Sequence, residues 1–303
     1  SFQMNNTLLT TNRKVLQRIA QPSIDFCNSL KLDVEAYVRW LEIESTQRCS
    51  INRVLVDLYR QNPDVQNWTW WKDQRRTKIS AFKRDRLLQG KLFQPGDNLT
   101  ICGNPIALLM AVVGEDPTGE GCFDLEDDVI QCYTEQFAPM EYIAGFRSPH
   151  NSPNNIVYLH NVYPNRIRLY FPKLGKNVIV INGIRTDVQP RLSGQDLDSD
   201  SIFATNQSDI VTLAKQAYAE YPTIINAVKP ETNKYGKNME SFVEMDKKIA
   251  DGQMDVGYSS NMAQLALSEW FALKGHLKHG KNNAAEDKTE EPDYTKDLED
   301  IFI

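Results

Sequence analysis

Ser193-Gly194-Gln195-Asp196-Leu197-Asp198-Ser199-Asp200-Ser201 sets three aspartates at alternate positions, after a glycine and directly before an apolar run over residues 202–205. In an extended or looped backbone, alternate side chains project to one side, so this spacing turns three carboxylates toward one point. Three converging negative charges repel one another unless a cation neutralises them. With no histidine or cysteine close by, the donor set suits a hard cation, Mg2+ or Mn2+ ahead of Zn2+. Two other readings compete. An acidic surface turn is one. A calcium loop of the EF-hand kind is the other, and it requires Gly at its sixth position and Glu at its twelfth. Counted from Asp196, those positions hold Ser201 and Gln207, so the calcium loop fails. The apolar run that follows places the trio on the lip of a buried strand, which favours a Mg2+ site for phosphoryl or nucleotidyl transfer over a turn.

Outward from that strand, residues 97–206 consist of short β-prone runs separated by Gly, Pro, Asn and Asp. The runs expected as strands are 99–102, 107–113, 156–159, 167–171, 178–181 and 202–205, as in a barrel or sandwich with irregular loops. Residues 178–181, without polar alternation, suit a strand buried on both faces. On the amino-terminal side, Val34, Tyr37, Val38 and Leu41 recur at helical spacing, as do Val54, Leu55, Leu58 and Tyr59. On the carboxy-terminal side, Ile210, Leu213, Ala214, Ala217, Tyr218 and Tyr221 form one helical face. A second helix is expected over about 238–251 and a third from Asn261, where Asn261 and Gln264 have capping-box spacing. No internal repeat is visible. The expected organisation is an α+β chain: a helical region 1–96, a β core 97–207, a helical region 208–280 and an acidic tail 281–303.

The 303 residues carry a net charge of −6, unevenly distributed. Residues 72–91 hold eight basic side chains against Asp73 and Asp85, a net +6 that leaves −12 for the rest. After residue 280, three lysines face eight carboxylates with little apolar content, the texture of a solvated tail. The longest apolar run, residues 106–113, stops at eight, far below the ~20 that span a bilayer, and the first residues lack a secretory pattern. Five scattered cysteines (Cys27, Cys49, Cys102, Cys122, Cys132) include no C-x-x-C pair, so zinc-ribbon and thioredoxin-like sites are excluded and reduced thiols are expected. Four dispersed histidines without H-E-x-x-H exclude zinc hydrolase chemistry. These features point to a cytoplasmic protein with no membrane partner.

The aspartate segment resembles the D-x-D-G-D metal motif of RNA polymerases built on two double-psi β-barrels. That superfamily includes the largest subunit of cellular polymerases and the single-chain RNA-dependent RNA polymerases of RNA silencing, with bacterial and phage relatives. Upstream, Phe146-Arg147-Ser148-Pro149-His150-Asn151-Ser152-Pro153 is similar to the Arg-x-Pro element that precedes the motif in the same barrel. Downstream, Val256-Gly257-Tyr258-Ser259-Ser260-Asn261-Met262-Ala263-Gln264 looks like the helical segment that follows it. The likeness spans roughly residues 97–273. One departure stands inside the motif, where Ser199 replaces the usual Gly.

The resemblance implies a double-psi β-barrel-like core. It implies that Asp196, Asp198 and Asp200 hold one Mg2+ (or Mn2+) that activates an RNA 3′-hydroxyl, and that a second Mg2+ arrives with the nucleoside triphosphate. It gives Arg147 a contact to the nucleotide or the terminal ribose, a task for its planar fork. Partners would be an RNA or DNA template, the RNA product and nucleoside triphosphates. Only about 110 residues have strand texture, enough for one barrel, so the metal-bearing half of a polymerase is expected, inactive until a second barrel is supplied by another polypeptide or by a missing part of the chain. A catalytically idle barrel that acts as a scaffold or binds nucleic acid is the alternative, and a Mg2+-dependent nuclease a third. The basic stretch, with Arg75, Arg76, Lys78, Lys83 and Arg84 beside Trp68, Trp70 and Trp71, offers phosphate contacts and stacking faces for nucleic acid. The other reading is a solvated helix face with its tryptophans in the core.

Overall fold

The computed structural model describes residues 10–45, 50–118, 123–126, 128–225 and 234–280, together with Met4, Thr7 and Leu8. The acidic tail expected from 281, Cys49 and Cys122 lie outside them. The described chain divides into two compact units, one of residues 12–94, the other from Pro95 onward with the short segment before Asn12.

The first unit is helical: α1 (Arg13–Leu32), α2 (Val34–Glu44), α3 (Ile51–Gln61) and α4 (Thr69–Asp85). Side-chain oxygens begin three of these helices. Asn12 accepts from the N–H of Lys14, Asp33 from that of Glu35 and Ser50 from that of Arg53, satisfying amides that have no intrahelical partner. The apolar residues that recur at helical spacing, among them Tyr37, Val38, Leu41 and Leu55, meet Trp71 and Phe82 of α4 in one core.

The second unit is built on a closed barrel of six strands: β1 (Asp97–Cys102), β2 (Ile130–Tyr133), β3 (Glu141–Phe146), β4 (Val157–Asn161), β5 (Val178–Ile181) and β6 (Ser201–Thr205). Around the barrel the order is β1-β5-β2-β4-β3-β6, with β1·β5 and β2·β4 parallel and the other four pairings antiparallel. Exchanging each strand for the one three places along (β1 with β4, β2 with β5, β3 with β6) returns the same set of neighbours and directions. The topology therefore has an internal two-fold relation, although the sequence shows no repeat. Every second residue of the strands points inward: Leu99 and Ile101, Ile130 and Cys132, Val157 and Leu159, Ile179 and Ile181, Ile202 and Ala204 fill the interior. Gly145 stands in this inner row on β3. A Cβ there would meet Val157 at 2.7 Å and collide with Ile202, so the barrel closes only around a hydrogen. At the rim, Gly96 has φ +147° with its Cα against the carbonyl of Ala204, and the Thr205 hydroxyl donates to the Pro95 carbonyl.

Two runs expected as strands are helices. Of the run 107–113, residues 107–112 belong to α5 (Pro105–Val112), and of 167–171, residues 167–170 belong to α6 (Asn165–Tyr170). An unbroken apolar run has no period by which to tell a strand from a helix. The first is decided by its flank: the Asn104 side chain accepts from the N–H groups of Ile106 and Ala107, and Pro105 stands where no intrahelical donor is needed. Two strands escape a reading of residue pattern. β2 carries a buried polar residue, Gln131, and β3 contains Ala144 and Gly145, residues with little β preference.

Between β5 and β6, a single-turn α7 (Val188–Arg191) precedes the aspartate loop. Beyond β6, α8 (Ser208–Glu220) packs on β3 and β4, burying Ile210, Leu213, Ala214 and Ala217. The two helices expected from about 238 are one, α9 (Met239–Gly280), with no break at Asn261. Gln264 is not a cap residue: it is buried, and its amide donates to the carbonyl of His150.

Candidate metal centre

The aspartate loop is shaped by its own backbone. Ser193 and Gly194 take φ of +56° and +70°, and the N–H groups of Gly194 and Gln195 both donate to the carbonyl of Gln189 at 3.0 Å, so the chain reverses as it leaves α7. The N–H of Asp196 then donates to Asp200 Oδ2 at 3.0 Å, which closes Asp196–Asp200 into a turn. The carbonyl of Asp200 accepts from the N–H of Ile101 at 2.8 Å, fixing the end of the loop to β1. Within the turn Ser199 has φ +109°, a conformation that glycine adopts readily and serine does not.

The turn brings the three carboxylates together. One oxygen from each of Asp196, Asp198 and Asp200 lies within 4.8 Å of the others. Two oxygens on one Mg2+, each at ~2.1 Å, stand at most about 4.2 Å apart, so the trio needs only a small inward movement to share such an ion. Asp196 and Asp198 are exposed and Asp200 is half-buried.

Arg147, immediately after β3, holds the loop from below. Its Nη2 pairs with Asp200 Oδ2 at 2.8 Å, and Nη1 donates to the carbonyls of Leu192 at 2.9 Å and Ser193 at 3.2 Å. Its Nε is buried without a hydrogen-bond partner. The antiparallel pairing of β3 with β6, in register at Phe146 and Phe203, is what sets this arginine beside the start of β6. With Oδ2 of Asp200 held by two donors, its Oδ1 is left for a ligand.

Asp198 and Asp200 differ in proton affinity. The Asp198 carboxyl is raised above its ordinary range, first by its hydrogen bond with Asp196 and then by the charges of Asp196 and Asp200. The Asp200 carboxyl is lowered: burial pushes it up, but the hydrogen bonds from Arg147 and from the Asp196 N–H outweigh burial. Crowded charge concentrated on the exposed Asp198 is what a bound cation relieves.

The basic stretch lies in the helical unit and is divided by its helix. Lys72, Arg75, Arg76 and Lys83 of α4 line a shallow groove together with Lys31 of α1. Lys78 and Arg84 do not line it, and Arg84 pairs with Asp85 at 2.7 Å. Trp71 is in the core, whereas Trp68 and Trp70 are 52% and 43% exposed. Residue spacing along α4 could have singled out Lys72. Lys31 is too distant in sequence for spacing to find it. Of the cysteines, Cys27, Cys102 and Cys132 are free thiols. Among the described residues, no helix is long and apolar enough to cross a membrane.

No protein-family model matches the chain, and no curated protein matches it. Among solved structures, the RNA-dependent RNA polymerase QDE-1 from Thielavia terrestris is similar at a TM-score of 0.48 and 15% identity, over 95% of this chain and 33% of that one. The chain spans about a third of the length of that polymerase.

Proposed function

We propose that this chain is the metal-bearing half of a template-directed RNA polymerase. The observation that carries the reading is the convergence of Asp196, Asp198 and Asp200 at the entry to β6, with Asp200 paired to the arginine of the Arg-x-Pro element. These are the two sequence elements on which the resemblance to double-psi-barrel polymerases rests. When bound, Mg2+ supplies charge neutralisation at the reacting phosphate and lowers the pKa of the RNA 3′-hydroxyl that attacks the α-phosphate of a nucleoside triphosphate. Asp196 and Asp198 offer exposed carboxylates to the ion, and Asp200 offers Oδ1. Arg147 positions Asp200 and the loop before it, and by the resemblance it would also contact the nucleotide or the terminal ribose. The described residues hold one barrel, so synthesis requires a second, from another polypeptide or from a further stretch of the same one, to contact the nucleotide and the growing strand.

The test has two parts. Titrating Mn2+ into the protein should raise its melting temperature and relax water protons, and Asp198→Ala should abolish both effects. With a second-barrel polypeptide and nucleoside triphosphates supplied, the wild-type chain should extend RNA and Asp198→Ala should lose at least about a hundredfold in rate, on the scale of transition-state charge stabilisation. Equal synthesis by the two would refute the assignment and leave an idle barrel.

A further inference from the structure

The helical unit carries a second site that the metal reading does not use. Lys31, Lys72, Arg75, Arg76 and Lys83 surround a groove of about 380 Å3, floored by Ile79 and edged by the hydroxyl-bearing Ser80. Residues 72, 75, 76, 79, 80 and 83 are one face of α4, because they repeat at three- and four-residue intervals. From Lys72 to Lys83 that face runs roughly 16 Å at the 1.5 Å helical rise. Asp73 pairs with Arg76 at 3.3 Å, and among the described residues neither Lys72 nor Lys83 takes part in an ion pair. Arg75 is the fixed wall of the groove: its Nε and Nη2 both donate to the carbonyl of Leu30, at 3.1 and 2.6 Å, and its guanidinium lies over the Tyr37 ring. This clamp on the last turn of α1 brings Lys31 to the groove. The site is therefore tertiary, made by two helices, and is not simply a charged stretch of chain.

Two observations select the ligand. A positive strip of this length matches a row of phosphates better than a single anion, since phosphates along one strand recur every few ångströms. The half-exposed Trp68 stands at the start of α4, one turn before Lys72 on the same side of the helix, and supplies a face on which a base stacks; Trp70 lies on the opposite side. A membrane surface is the poorer match, because an interfacial helix needs an exposed apolar face, and Trp71, Ile79 and Phe82 of α4 are buried in the unit's core. We infer that the groove between the end of α1 and α4 binds the phosphate backbone of a nucleic acid, with Lys31, Lys72 and Lys83 as its mobile cations and Arg75 as a positioning residue.

The site is tested on the full chain in EDTA, so that the aspartate trio plays no part and failure here is separable from failure of the metal reading. Fluorescence anisotropy with a labelled RNA of about 20 nucleotides, single-stranded and as a duplex, is measured across a salt series. Lys72→Glu/Lys83→Glu is compared with Lys173→Glu/Lys176→Glu, a charge-matched pair before β5. The groove variant should bind at least about tenfold more weakly, and its log K against log salt should flatten by about 1.4, two single-strand phosphate contacts at ~0.7 each. The control should stay within about twofold of wild type. Lys72→Gln/Lys83→Gln, with unchanged helical circular dichroism, should fall between wild type and the charge reversal. The proposal is overturned if groove and control variants lose binding alike, if neither loses it, or if the groove pair affects binding to phosphatidylserine vesicles but not to RNA.

Discussion

At the scale of single residues, Ser199 bears most directly on the site. Its φ of +109° costs a residue with a Cβ what it would not cost glycine. Ser199→Gly should therefore stabilise the protein by about 1 kcal/mol, read from urea unfolding, with the apparent Mn2+ affinity retained or improved. A loss of stability would mean that the serine side chain has a compensating partner. The trio itself is legible in the sequence because its geometry is local: alternate spacing and one following strand suffice to turn three carboxylates together. The engagement of Arg147 with Leu192, Ser193 and Asp200 is not legible, because it depends on β3 and β6 becoming neighbours. The resemblance gives the arginine to a ligand, whereas the structure gives it a task in holding the loop.

At the scale of elements, the helix-or-strand decision for α5 rests on one side chain. Asn104 accepts from two otherwise unpaired amides at the helix start, at 3.0 and 3.2 Å. Asn104→Ala should cost about 1 kcal/mol in thermal unfolding, while Asn104→Asp or Asn104→Ser should restore most of it. The apolar content of residues 107–113 is visible in the sequence, but its burial is not: Leu108, Val112 and Val113 are exposed, and only Ile106 and Ala107 enter the core. Hydrophobicity predicts order there and misjudges its form. The same limit applies to α9, where Asn261 and Gln264 have the spacing of a helix start. Burial of Gln264 against the His150 carbonyl shows that a polar residue in mid-helix can serve a distant loop.

At the scale of the whole second unit, His150 gathers three separate segments. Its Nε2 lies 2.6 Å from the hydroxyl of Thr7, its carbonyl accepts from Gln264, and its ring meets the edge of Phe146. Because the Thr7 hydroxyl donates to the carbonyl of Met4, the hydrogen in the Thr7–His150 contact belongs to Nε2, while Nδ1 is buried without a hydrogen-bond partner that would favour a second proton. Burial lowers its pKa to about 3. The folded value lies below the unfolded one of about 6.5, so the unfolded chain takes up the proton first. Stability is complete above the unfolded value and is lost as pH falls toward the folded one. Between about pH 7 and pH 5 this residue alone should remove about 2 kcal/mol, and that increment should vanish in His150→Gln when urea unfolding is compared at the two pH values. The symmetry of the barrel is beyond sequence reading, since it resides in strand adjacency and the two halves differ in composition. At the barrel rim, Asp97 pairs with Ala204 and the Thr205 hydroxyl holds the Pro95 carbonyl, so the polypeptide comes in and goes out through a single doorway. A barrel whose first and last strands meet at one rim can take longer or different segments at that rim without disturbing its apolar interior.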